Sequence, residues 1–200
     1  MIARRVGLFG GSFDPPHNAH VALARLARDA LRLDELRLVP AGQPWQKADR
    51  RMAPAADRAR MLRLAFAGEP RMVVDERELR REGPSYTVDT VAELQEEAGA
   101  VGAEWFLVIG QDQYARLHSW HRWQELLRKV TLAVAGRAGD APQPSAQVAA
   151  VPHLVVALAL PAMALSASDV RTRLGRGESI EGMVPSAVAS YIDQAHLYRN

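Results

Sequence analysis

The sequence predicts an α/β protein with a doubly wound, mostly parallel sheet that has helices on both faces. Short apolar segments of strand length alternate along the 200 residues with segments of helical period. The strand segments are apolar, as expected for a parallel sheet that is buried on both faces. Hydrophobic residues make up 48% of the chain, which is enough to form a sizeable core.

Apolar runs predict six strands, at residues 4–9, 35–40, 71–74, 105–109, 131–135 and 154–158. Helical periodicity predicts six helices, at residues 17–32, 55–67, 87–97, 123–127, 168–174 and 185–195. The last helix is expected to have Pro185 at its first position and to place Val188, Ile192 and Ala195 on one face.

Two polar stretches are expected to lie outside these elements. Residues 136–150 are rich in alanine, proline, glutamine and serine, and this composition predicts a surface loop. Residues 75–78 mix both signs of charge, which predicts a solvated loop or turn.

Composition narrows the class of protein. The chain has no cysteine, which excludes disulfides, thiolate catalysis and cysteine-based zinc sites, and fits a reducing cytoplasm. The basic N-terminal residues are not followed by the apolar region of a signal peptide. No stretch reaches the roughly 18 to 20 apolar residues of a membrane span. A net charge of +2 does not favour a nucleic-acid or membrane partner. We therefore expect a cytoplasmic protein.

The most informative motif lies between the first predicted strand and the first predicted helix. Residues 10–13 read Gly-Gly-Ser-Phe, and His17 and His20 follow. A glycine-rich turn before a helix exposes backbone N–H groups at the positive helix end, where phosphate binds. Residues three apart share a helix face, and histidine donates hydrogen bonds to phosphate oxygens without a permanent charge. The motif therefore predicts a nucleotide site, although histidines at this position also occur merely as capping or solvated residues.

Three further polar or glycine-rich segments follow predicted strands, at residues 41–47, at residues 110–112 and after Ala135. Ligands of such sheets bind beyond the carboxyl ends of the strands, so these segments are expected to converge on one crevice. Asp112 suits hydrogen bonds from ribose hydroxyls, with helix capping as the alternative. Arg137 suits a phosphate contact or simple exposure to solvent, and the sequence leaves both open.

Motifs spread along the chain resemble those of the nucleotidyltransferases, whose mark is an H-x-G-H motif after the first strand. More narrowly, the chain resembles the bacterial nicotinate-nucleotide adenylyltransferases. The matching segments are residues 10–20, 84–87 (Pro-Ser-Tyr-Thr), 109–112 (Ile-Gly-Gln-Asp), Trp120, Arg137, residues 165–171 and residues 191–198. This resemblance implies a Rossmann-like fold in one nucleotidyltransferase domain over residues 1–200, with a C-terminal helical part at about 166–200.

The resemblance also implies a reaction, in which AMP passes from ATP to nicotinate mononucleotide and gives deamido-NAD and pyrophosphate. It implies Mg²⁺ bound mainly through the ATP phosphates, with no protein ligands. The catalytic residues implied are His17, His20, Lys47 and Arg171. The ATP-binding residues implied are Gly10, Gly11, Ser12, Phe13, His17, His20, Gly110, Asp112, Ser166, Ser168 and Arg171. The nicotinate mononucleotide site implied consists of Ser85, Tyr86, Thr87, Trp120 and Arg137.

The chain departs from the family pattern at three places. Ala19 replaces the glycine of H-x-G-H, and Ser168 replaces a threonine but keeps its hydroxyl. Residues 44–47 read Pro-Trp-Gln-Lys where many relatives have Pro-Pro-His-Lys or Pro-Pro-His-Arg, so only the cation of Lys47 remains. We expect residues 41–52 to close over the substrate as a lid.

Two other functions compete with this one. The same fold transfers nucleotides to other acceptors, such as phosphopantetheine, nicotinamide mononucleotide or a phosphorylated alcohol, but residues 84–87 and Trp120 favour nicotinate mononucleotide. A regulatory module that only binds a nucleotide would not need both phosphate anchors. The chain keeps the residues of both, which are His17, His20, Lys47, Ser166, Ser168 and Arg171. The expected partners are ATP and nicotinate mononucleotide, with no nucleic acid and no membrane, and a homo-oligomer is allowed.

Overall fold

A parallel sheet forms the centre of the computed structural model, which describes residues 3–42, 52–97, 101–137, 140–161 and 163–199. Its six strands are Arg5–Gly11 (β1), Glu35–Pro40 (β2), Met72–Val74 (β3), Glu104–Gly110 (β4), Thr131–Arg137 (β5) and Val155–Leu160 (β6). Their order is β3-β2-β1-β4-β5-β6, and every neighbouring pair is parallel. All six predicted strands are confirmed. The order reverses between β1 and β4, the point where ligands bind in doubly wound sheets.

The six predicted helices are also present. They are Asn18–Ala30 (α1), Ala55–Ala65 (α2), Thr87–Gln95 (α4), Trp123–Lys129 (α6), Ala167–Gly175 (α8) and Ser186–Gln194 (α9). The described residues contain three more, Arg77–Arg80 (α3), Gln111–Ala115 (α5) and Ala146–Ala149 (α7), and a 3₁₀ turn at Leu117–Ser119. Elements of three to five residues are too short to display a helical period, so the sequence pattern did not indicate them.

The sheet separates two apolar layers, as the doubly wound prediction requires. Val88 and Leu94 of α4 pack on one face with Leu107 of β4. Ala27 of α1 packs on the other face with Phe106. Phe106 and Leu107 are neighbours in β4 and point to opposite faces, because side chains alternate along a strand. Both are buried, which is why β4 is apolar from Trp105 to Ile109.

The C-terminal helices form a third apolar cluster with α2. Met61 of α2 packs there with Val170 of α8 and with Val188 and Ile192 of α9. The prediction for the last helix was partly wrong. Pro185 is the N-cap, and Ala195 lies beyond the last helical turn and is exposed. Proline suits the N-cap because its nitrogen has no hydrogen to leave unsatisfied.

Two predictions of loops were wrong. Within residues 75–78, Asp75 and Glu78 are buried rather than solvated. Asp75 accepts a hydrogen bond from Arg37 at 2.9 Å, and Glu78 accepts one from the Thr90 hydroxyl at 2.7 Å. Hydrogen-bond donors from distant elements therefore make burial of these carboxyls tolerable. Within residues 136–150, Val148 of α7 is buried in the core, because this short helix packs on the 3₁₀ turn.

Arg58 of α2 fastens the segments that follow β1 and β2. The residue is only 2% exposed. Its guanidinium donates to the carbonyl of Ser12 at 3.0 Å, to that of Ala41 at 2.8 Å and to that of Ala53 at 3.2 Å. Burial lowers the pKa of Arg58, and the charge of nearby Asp14 opposes this effect. Both segments lie at the carboxyl edge of the sheet.

In the part of the chain that the structure describes, no helix is long and apolar enough to span a membrane.

Substitution Arg58→Met is expected to lower the free energy of unfolding by about 2–4 kcal/mol, because it leaves buried carbonyls without donors. Arg60→Met is the matched control, since Arg60 is exposed on the same helix; its expected effect is within about 0.5 kcal/mol. Urea unfolding at pH 7 measures both values. Equal losses in the two variants would contradict the structural role given to Arg58.

Candidate active site

Two adjacent cavities open at the carboxyl edge of the sheet. A cavity of 1410 Å³ is bordered by the start of α1 and by the ends of β4, β5 and β6. A cavity of 140 Å³ lies between the segment after β1 and the start of α4. Gln113 borders both cavities, so a ligand with two linked parts can occupy them together. The small cavity lies at the reversal of strand order between β1 and β4, as expected for a doubly wound sheet, and the large cavity lies beside it.

His17 and His20 stack at the start of α1 and border the large cavity. Their ring centroids are 3.7 Å apart, with 21° between the ring planes. The backbone N–H of His17 donates to His20 Nδ1 at 3.2 Å. In a neutral imidazole, an accepting Nδ1 requires the proton on Nε2, so His20 Nε2 is a hydrogen-bond donor. The Phe13 ring packs against the His20 ring in a T-shaped contact, with centroids 5.0 Å apart.

His17 is uncharged near neutral pH. It is buried, and this burial lowers its pKa from 6.5 to about 4, although the charge of Asp169 acts in the opposite direction. Its Nδ1 atom is buried and has no hydrogen-bond partner among the described residues. A bound anion stabilises the protonated imidazole, so this histidine can respond to a phosphate by taking up a proton.

A second group of polar side chains lies at the start of α8. The Ser166 hydroxyl caps this helix and accepts a hydrogen bond from the backbone N–H of Asp169 at 3.2 Å. Arg171 donates to the Ser168 hydroxyl at 2.9 Å and to the backbone carbonyl of Asp14. Tertiary structure thus brings the α8 residues to the segment that carries His17 and His20.

The small cavity combines aromatic rings with a helix N-terminus. Ser85, Tyr86, Thr87 and Trp120 border it, together with residues 10–12. Tyr86 is the N-cap of α4, and its ring lies against the ring of His121 with centroids 4.2 Å apart. A flat ligand and an acidic group suit this combination, because rings offer faces and the helix end offers N–H donors.

Two residues of the small cavity were missed by sequence reasoning. His121 lies 35 positions from Tyr86 in the chain, and no local pattern pairs them. Glu78 was assigned to solvent, yet burial raises the pKa of its carboxyl, against the hydrogen bond from Thr90. The backbone at Gly42 packs closely against Glu78. A Cβ added to Gly42 would lie 2.1 Å from the Glu78 carbonyl oxygen. Only glycine fits there without movement of the backbone.

The remaining predicted residues are distributed as follows. Gly110, Asp112 and Arg137 border the large cavity, and Arg137 does not border the small one. Ser166, Ser168 and Arg171 border neither cavity. Lys47 and most of the expected lid, with Trp45 and Gln46, lie outside the described residues.

The donors at this site suit a metal ion that arrives with its ligand. Among the described residues, no group of three or more histidine or acidic side chains is placed to hold a metal ion. The site instead offers imidazoles, backbone N–H groups and a guanidinium, which bind anions. A divalent ion coordinated by polyphosphate and water fits this donor set, whereas a resident cage of carboxylates does not.

Comparison with known proteins identifies the family. The cytidylyltransferase-like family model matches residues 8–173. A protein of Methylibium petroleiphilum, named "probable nicotinate-nucleotide adenylyltransferase", is 50% identical over 98% of this chain and 92% of its own length. The chain belongs to the nicotinate-nucleotide adenylyltransferase family. A member from Bordetella petrii is 48% identical over 98% of this chain and 100% of its own length.

The fold extends to more distant proteins. The solved structure of Plasmodium falciparum nicotinic acid mononucleotide adenylyltransferase, complexed with NaAD, matches with a TM-score of 0.79 at 16% identity. The match covers 98% of this chain and 97% of that chain. It confirms the Rossmann-like α/β architecture that the sequence resemblance implied. Nucleotidyltransferases of this kind generally use a divalent metal ion with ATP.

The low pKa of His17 predicts a loss of stability in acid. Between pH 6.5 and 4 the unfolded chain binds a proton at His17 that the folded protein excludes, so the free energy of unfolding falls as pH falls. The full contribution is about 3 kcal/mol. The free energy of unfolding is measured at pH 7 and at pH 4 for the unsubstituted protein and for His17→Asn. Its decrease from pH 7 to pH 4 is expected to be smaller in His17→Asn by this amount. The exposed-histidine control His196→Asn should behave as the unsubstituted protein does; an unchanged slope in His17→Asn would contradict the burial argument.

Proposed function

We propose that this protein transfers AMP from ATP to nicotinate mononucleotide, giving deamido-NAD and pyrophosphate for NAD biosynthesis. One observation carries the proposal: the stacked pair of His17 and His20 faces a cavity large enough for a nucleotide, beside a small cavity lined by rings and a helix N-terminus. The names of the relatives describe the same activity for those proteins.

The reaction joins two phosphates. An oxygen of the nicotinate mononucleotide phosphate attacks the α-phosphorus of ATP, and the bond from that phosphorus to the bridging oxygen of the β-phosphate breaks. Pyrophosphate leaves with the electron pair of the broken bond. The attacking phosphate is already ionised at neutral pH, so no general base is needed. Catalysis then consists of positioning the two phosphates and stabilising the charge that develops between them.

His20 is the best placed group for this stabilisation. Its Nε2–H is a donor because Nδ1 already accepts the N–H of His17. We assign His20 to the α-phosphate oxygens, with His17 beside it. Preorganised donors of this kind act mainly on the transition state, where the negative charge is greatest. The backbone of Gly10, Gly11 and Ser12 completes the anion site, and Phe13 holds the His20 ring.

The β- and γ-phosphates are assigned to the second group of residues. Ser166, Ser168 and Arg171 stand at a helix N-terminus, which attracts anions, and Lys47 adds a cation. Gly110 and Asp112 border the large cavity where the ATP ribose would lie, and Arg137 would contact a phosphate of the bound nucleotides. Mg²⁺, the divalent ion proposed here, would be held by the phosphates and water and would neutralise the charge of the leaving pyrophosphate.

The small cavity is assigned to the pyridine ring. Tyr86 and Trp120 offer ring faces, and the N–H groups at the start of α4, with the Thr87 hydroxyl, face an acidic substituent. A carboxylate accepts from these donors, whereas the NH₂ of an amide opposes them, so the acid is favoured over the amide. We further propose that residues 1–200 act as a single cytoplasmic domain, alone or as a homo-oligomer, without nucleic-acid or membrane partners.

Pyrophosphate release from ATP and Mg²⁺ tests the reaction. With nicotinate mononucleotide we expect release, and with nicotinamide mononucleotide at the same concentration we expect kcat/KM lower by at least about tenfold, from the unmatched amide donor. Equal release with both acceptors would support the transfer of AMP but contradict the selection of the acid by the N–H groups at the start of α4. Absence of release with either would favour another acceptor or a binding module.

Substitution His20→Ala is expected to lower kcat by about 10²–10³-fold, because a donor to the transition state is lost. The KM for ATP should change far less, since ground-state binding uses many other contacts. His118→Ala is the control, because His118 hydrogen-bonds Ser145 and borders neither cavity. Equal losses of turnover and ATP affinity in His20→Ala would show that His20 only binds the ground state.

A further inference from the structure

Asp14 is a fully buried carboxylate three positions before His17. Its Oδ1 atom accepts hydrogen bonds from the Tyr198 hydroxyl at 2.7 Å and from the backbone N–H of Ala53 at 3.1 Å. Its Oδ2 atom lies 3.8 Å from Arg171 Nη1. Asp14 therefore joins the C-terminal tail, the start of α2 and the phosphate anchor of α8 to the segment that follows β1.

These donors decide the orientation of the carboxylate. A buried charge is costly unless hydrogen bonds replace its lost water, so the Asp14 oxygens turn toward the donors that surround them. Tyr198 and Ala53 together hold Oδ1. Burial, followed by the charge of Asp14, raises the pKa of Tyr198, so the phenol keeps its proton and remains a donor.

Asp14 also holds Arg171 in place. Its guanidinium donates to the backbone carbonyl of Asp14, and its Nη2 donates to the Ser168 hydroxyl at 2.9 Å. Tyr198 holds Oδ1, and Oδ2 lies at ion-pair distance from Arg171. Loss of the Tyr198 hydroxyl leaves Oδ1 with one donor fewer beside the Ala53 N–H, and the Arg171 guanidinium, already at ion-pair distance from this carboxylate, can move toward it.

We propose that Tyr198 is a positioning residue for the polyphosphate of ATP, acting through Asp14 on Arg171. The inference rests on the proposed function in one respect, the assignment of Arg171 to the β- and γ-phosphates. By holding Asp14, the Tyr198 hydroxyl keeps the Arg171 guanidinium directed along Ser168. The C-terminal tail thus contributes to ATP binding although it belongs to none of the phosphate-binding motifs.

The chain contains a matched control for this proposal. The Tyr191 hydroxyl donates to Asp57 Oδ1 at 2.7 Å, the same distance as in the pair of Tyr198 with Asp14. Asp57 belongs to α2 and not to the segment that carries the histidines. The substitutions Tyr198→Phe and Tyr191→Phe therefore remove the same group from the same kind of hydrogen bond, at two different places.

The experiment measures Kd for ATP by calorimetry without acceptor, and then KM for ATP and for nicotinate mononucleotide. Tyr198→Phe is expected to raise Kd and KM for ATP about five- to tenfold, less than the full value of one hydrogen bond to a charged group, because the hydroxyl acts on ATP only through Asp14 and Arg171. The KM for nicotinate mononucleotide should stay within about twofold, as should every constant of Tyr191→Phe. Thermal unfolding of both variants reports any general loss of stability.

A double-mutant cycle tests the route through Asp14. If Tyr198 acts through that carboxylate, Tyr198→Phe has little further effect on ATP binding in an Asp14→Asn background. Equal changes in the two tyrosine variants, or additive effects of Tyr198→Phe and Asp14→Asn, would overturn the proposal. Calorimetry needs no turnover, so an inactive protein that still binds ATP would refute the proposed reaction and leave this comparison decisive.

Discussion

The buried guanidinium of Arg58 holds the segments after β1 and β2 to the start of α2, and the rest of the site is built on those segments. A loop at the edge of a parallel sheet has carbonyl groups that no neighbouring strand satisfies. Arg58 supplies the donors for Ser12, Ala41 and Ala53 from one planar group. A lysine has three donors on a flexible stem and cannot match this geometry. Arg58 therefore holds the glycine-rich turn in place through the carbonyl of Ser12.

The site combines buried fixed charges with neutral donors. Arg58 and Asp14 are buried behind the segment that follows β1, whereas His17 and His20 border the large cavity. Buried charges orient the segment because their hydrogen bonds are costly to break. Burial lowers the pKa of His17, so this histidine adds no permanent charge to the cavity near neutral pH. Such an arrangement fits a site that must release pyrophosphate after each reaction.

Sequence patterns predicted the strands and the longer helices because these repeat over many residues. Every predicted strand exists, and the glycine-rich turn leads from β1 into α1 as expected. The short helices α3, α5 and α7 were missed since none extends beyond five residues. The burial of Asp75 and Glu78 was also missed, because Arg37 and Thr90, their partners, come from other elements. Charge alone indicates solvent unless the partner is known.

The sequence by itself determined the order of elements, the position of His17 and His20 at the start of α1 and the resemblance to a family of adenylyltransferases. Only the tertiary structure decided the ionisation of His17, because burial and not residue type lowers its pKa. It also decided the contact of Tyr198 with Asp14, which are 184 positions apart. Local periodicity carries no information about such pairs. They form when the C-terminal helices pack on α2 and bring the end of the chain to the site.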